Sequence, residues 1–160
     1  MPPTRLVPDI PLPPYTFVPG RTPHPHSPEG HSYRAEHRAV EPIDPPNWRA
    51  SKAYLYGIDL FNAQFFWEAH ESWEGLWLAC GRRGPVAEFV KGLIHLTAAG
   101  FKHREGIPAG VRSHAGRAAE RFRAVAAPVF LGLRVADLVA VAEGVVKEGW
   151  PATPPLLVPC

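Results

Sequence analysis

From Ser51 to Val146 the apolar positions recur three and four residues apart, the spacing of one helix face, whereas before residue 46 they follow no period. Ser51 is a suitable N-cap for a first helix through Tyr54, Leu55, Ile58 and Phe61, with a turn at Asn62. A second helix, about Gln64 to Cys80, stops at Gly81 beside Arg82 and Arg83, which suit both the geometry and the dipole of a C-terminus. Gly84-Pro85 opens a third, to about His103, with Gly106 beyond its end, and Pro108 opens a fourth, to about Ala126, striped by Ala115, Ala118, Phe122 and Val125. Pro128 breaks the pattern before a last helix through Val135, Leu138, Val139, Ala142 and Val146. No run alternates with period two over enough residues to form a sheet. The expected fold is therefore all-α: a compact antiparallel bundle of four to five helices with an extended proline-rich N-terminal arm.

On the second helix Leu76, Ala69, Cys80, Trp73, Phe66 and Trp77 share one apolar face, with His70 and Glu74 on its border and Glu71 and Glu68 farther round. His70 and Glu74 are one turn apart, close enough to satisfy each other or to share a ligand, and Trp67, Trp73 and Trp77 are expected to reduce the water around them. Two readings follow: a buried pair that orients the helix, or a metal or acid-base site. His70-Glu71-Ser72-Trp73-Glu74 resembles a zinc-protease helix whose second histidine is replaced, in which Glu71 would activate water. On the third helix His95 shares a polar stripe with Glu88, Lys91 and Lys102, so it faces either the His70–Glu74 pair or water. A divalent metal held by His70, Glu74 and His95 is one form the site could take. His103 ends that helix, and Arg112, Arg117, Arg121 and Arg123 line the fourth as a solvated face or an anion patch.

Composition divides the chain into parts. Of the 20 prolines, 13 fall in residues 1 to 50 and three (Pro85, Pro108, Pro128) in residues 51 to 150. The arm, 1–46, holds Pro2-Pro3, Pro11-Leu12-Pro13-Pro14 and Pro23-His24-Pro25-His26, which favour extended backbone. Leu6, Val7, Ile10, Tyr15, Phe17 and Val18 make it too apolar to float, so it is expected to strap across the helical body, 47–150, and to be able to bring His24, His26 or His31 to a pocket mouth. Residues 151–160 form a proline-rich tail. A formal charge of +2 carries no nucleic-acid footprint, so no nucleic-acid partner is expected. No run is apolar enough for a membrane span or a signal peptide, and the lone Cys80 and Cys160 suit a reducing cytosol; a cytoplasmic location is expected.

Gly57-Ile58-Asp59-Leu60-Phe61-Asn62, Phe66-Trp67-Glu68-Ala69-His70-Glu71-Ser72-Trp73-Glu74-Gly75-Leu76-Trp77 and Gly92-Leu93-Ile94-His95-Leu96 together resemble the bacterial and archaeal family described as domain of unknown function 309. Its His-x-x-x-Glu-x-x-Trp pattern is matched by His70, Glu74 and Trp77, and the resemblance covers roughly residues 51 to 122. It implies a small all-helical protein with no established reaction. The first two helices also resemble a single tetratricopeptide-type hairpin, which implies a protein-binding groove. Two functions stay open: a metal-dependent or acid-base enzyme of hydrolytic type acting on a small molecule through His70, Glu74 and Glu71, or a non-catalytic interaction or structural module in which the pair is structural.

Overall fold

The computed structural model describes residues 3–36 and 39–160; Met1, Pro2, His37 and Arg38, all within the predicted arm, lie outside the described residues. After a short 3₁₀ segment, Pro45–Ala50, come α1 (Lys52–Asn62), α2 (Phe66–Ala79), α3 (Pro85–Glu105), α4 (Pro108–Arg123), β1 (Val129–Phe130), β2 (Leu133–Arg134) and α5 (Val135–Glu148). Each α-helix packs antiparallel on the next. The punctuation residues act locally as expected. Ser51 Oγ accepts from Tyr54 N–H, Pro85 and Pro108 open their helices, and Gly106 ends α3 in the left-handed conformation at φ +73°.

The expected absence of a sheet needs a small correction. Leu131 and Gly132 both take positive φ, +45° and +79°, which turns the chain tightly enough for Val129–Phe130 to pair with Leu133–Arg134. Helix α4 accordingly ends at Arg123, short of the predicted Ala126.

Tyr54, Phe61, Phe66, Trp73, Phe89 and Phe122 are fully buried, and Phe61 meets Phe66 edge to face at 5.5 Å. Burial of a ring the size of Trp73 is worth about 4–6 kcal/mol before entropy. Its indole Nε1–H donates to Tyr54 O (3.1 Å), and a Cβ at Gly57 would stand 2.0 Å from that nitrogen, so the α1–α2 contact demands glycine there. Both ends of the chain are tied to α1. Asp59 accepts from the N–H groups of Leu6 (2.8 Å) and Val7 (3.0 Å), while Asn62 exchanges two hydrogen bonds with the backbone of Leu157 (2.9 and 2.8 Å). Val7 and Leu157, held by these bonds, are buried, as is Val18 farther along the arm.

Candidate functional site

Helix α2 has two polar flanks with different fates. On one, Glu68 is buried beneath the arm and accepts from Thr16 Oγ1 (2.6 Å) and Phe17 N–H (3.0 Å), with His31 Nε2 at 3.4 Å; the His31 and Glu68 side chains are 4% and 5% exposed. His26 Nε2 lies 3.4 Å from Glu71 Oε1, and the His24 and His26 rings pack edge-on against Trp67 at 5.4 and 5.8 Å. The arm histidines thus reach Trp67, Glu68 and Glu71, not the His70–Glu74 pair.

On the other flank, His70 Nδ1 stands 3.4 Å from Glu74 Oε2, with the side chains 35% and 48% exposed. The pair is therefore only partly shielded from water, Glu74 less than His70. Ala69, Trp73 and Leu76 occupy the helix contact and are fully buried, so residues on its border clear it. Trp73 turns into the core and Trp67 toward the arm, while Trp77 lies under Lys91, whose Nζ is 4.3 Å from the ring centroid. The ion-pair contact of His70 and Glu74 thus lies within one helix and in partial contact with water. Asp59 and Glu68, by contrast, tie the arm to α1 and α2, their carboxylates occupied by arm donors.

His95 faces His114 of α4, with Nδ1 to Nδ1 3.4 Å and ring centroids 5.6 Å apart. Partial burial pushes His95 down to about 4 from 6.5, helped by His114, Lys91, Arg121 and Arg117. His114 is lowered by burial and by Arg117, Lys102 and His70. His70 is lowered mainly by burial, against the pull of Glu74 and with Lys91 pushing the same way as burial. Three imidazoles from three successive helices therefore share one face and are neutral at pH 7. Glu71, the expected water activator, lies on the arm flank, from where its charge still raises His70 slightly.

Among the described residues no group of three or more His, Cys, Asp or Glu side chains is placed to hold a metal ion, and His95 adjoins His114 rather than His70 and Glu74. His114 is the residue that the sequence reading missed. Its signal was present: seven residues along α3 from Glu88 is His95, and seven back along α4 from Arg121 is His114, so an antiparallel hairpin that pairs Glu88 with Arg121 also pairs the histidines. Glu68 and Asp59 gave no such signal, because their partners lie 37 to 53 residues away in an aperiodic arm.

A separate groove of about 580 Å³ opens between Ile10, Val40, Ile43, Ala53 and Tyr56, and none of the candidate residues lines it. Also among the described residues, no helix is long and apolar enough to cross a membrane. No curated protein matches the chain. Residues 54–114, which hold His70, His95 and His114 together with Glu71 and Glu74, match the model of a family described as domain of unknown function (DUF309).

Proposed function

We propose that the face formed by His70, His95 and His114 is the working site of this protein, an acid-base site of hydrolytic type that acts on a small molecule from solvent. His70 carries the proton, Glu74 favours its charged form, and Glu71 adds negative charge from the arm side. The observation that supports this is the gathering of three neutral imidazoles on one solvent-reachable face, where the ion-pair contact of His70 and Glu74 lies within one helix. A neutral imidazole whose pKa lies below 7 is a competent base at physiological pH.

A panel of activated carboxylic and phosphoric esters, turned over by wild type and His70→Gln, tests it. The expected result is a rate that rises as His70 deprotonates, with a midpoint below 6.5, and falls about 10²–10⁴-fold in the variant. Full turnover by His70→Gln overturns the role given to His70. The rival reading, a non-catalytic interaction module, draws on the apolar groove beside Tyr56 and predicts no turnover by wild type either.

A further inference from the structure

Charge around the His95–His114 pair is unbalanced. Lys91, Arg117 and Arg121 bear on His95, and Arg117, Lys102 and His70 bear on His114. Arg121 is neutralised by Glu88 and Lys102 by Glu105 (3.1 Å). Arg123, farther along the same arginine row, is taken by Glu143 of α5 (2.6 Å). Lys91 rests on Trp77, and Arg117 has no carboxylate or hydrogen-bond partner among the described residues. On the α2 side stand Glu74, beside His70, and Glu71, turned to the arm. Two cations without carboxylates therefore flank two imidazoles at a partly buried position, where like charges repel more strongly than in water.

The contact between the imidazoles defines what the pair can donate. With Nδ1 facing Nδ1, one ring holds its proton there and presents a bare Nε2, while the other holds its proton on Nε2. One further proton, placed on the bare Nε2, keeps the Nδ1–H···Nδ1 bond and makes both Nε2 atoms donors. A second would set two N–H groups head to head.

We propose that the α3–α4 face around His95 and His114 binds a tetrahedral dianion, a phosphoryl or sulfate group, held by Arg117, Lys91 and the imidazole pair, with one proton drawn from solvent as the anion binds. The guanidinium fork of Arg117 matches two oxygens of such a group, and the protonated pair supplies the other donors. Without the anion, burial and the surrounding cations keep the pair neutral; its charge reverses that balance. The inference rests on the acid-base reading and names the class of ligand that site takes.

Calorimetric titration of the full chain with sulfate, at ionic strength matched by chloride, tests it, because sulfate keeps its charge throughout the range in which histidine titrates. The expected result is saturable binding that tightens as pH falls, with about one proton taken up per sulfate in buffers of different ionisation heat. Arg117→Gln, at an exposed position that leaves the fold intact, weakens binding at least about tenfold. The double variant His95→Gln/His114→Gln loses most of the proton uptake. Inorganic phosphate and phenyl phosphate then separate the sources: tighter phenyl phosphate assigns a phosphomonoester, equal binding a free ion. Heat no greater than that of chloride, or sulfate binding unchanged by Arg117→Gln, overturns the proposal. Sulfate binding beside full turnover by His70→Gln keeps this inference and discards the acid-base reading, and the reverse result discards this inference alone.

Discussion

Glu68 and His70 sit two positions apart on α2 and do different work, because burial and partners differ between them. The Glu68 carboxylate is enclosed and accepts from two arm donors, so truncation leaves those partly buried donors unpaired. Glu68→Ala is expected to cost about 2–4 kcal/mol of unfolding free energy. His70→Ala and Glu74→Ala remove a partly exposed pair within one helix and are expected to change it by no more than about 0.5 kcal/mol each. Urea denaturation of the three variants checks the contrast, and a large loss at His70 would return the pair to a structural role.

At the scale of elements, the α3–α4 hairpin couples histidine protonation to stability. His95 takes up its proton near 6.5 when unfolded and near 4 when folded, so between those values the unfolded chain binds more protons and acid favours it. Stability is therefore held above pH 6.5 and lost as pH falls toward 4, with His70 and His114 acting in the same direction. After allowance for solvent screening at this partly exposed site, the loss from His95 is on the order of 1 kcal/mol. Denaturant curves at neutral pH and at about pH 5 measure it. His95→Gln should flatten the difference, and an unchanged slope would show that His95 is not its source.

At the scale of the whole molecule, the arm acts as the outer wall of the α1–α2 layer. It buries Val7 and Val18 and supplies backbone donors to Asp59 and Glu68. Deletion of residues 1–36 uncovers that surface and leaves both carboxylates without these partners. A fall in Tm of about 10 °C or more is expected in a thermal melt, with new binding of an apolar dye. A truncated chain that melts with the parent would mean that the arm contributes nothing to the fold.

Local chemistry alone determined much of this protein. Helix-period spacing and the signals at Ser51, Pro85, Gly106 and Pro108 specify the helices, because periodicity and capping act within one or two turns. The DUF309 stretch was legible for the same reason, as a local pattern around His70, Glu74 and Trp77. Tertiary structure decided which carboxylates are buried. A helical wheel places Glu68 on the polar side of α2, and only the arm, arriving from 50 residues away, turns that side into an interior. It likewise decided that His95 meets His114 rather than His70. The choice depends on the register of the α3–α4 hairpin, which helix spacing alone leaves open and the Gly106 turn sets.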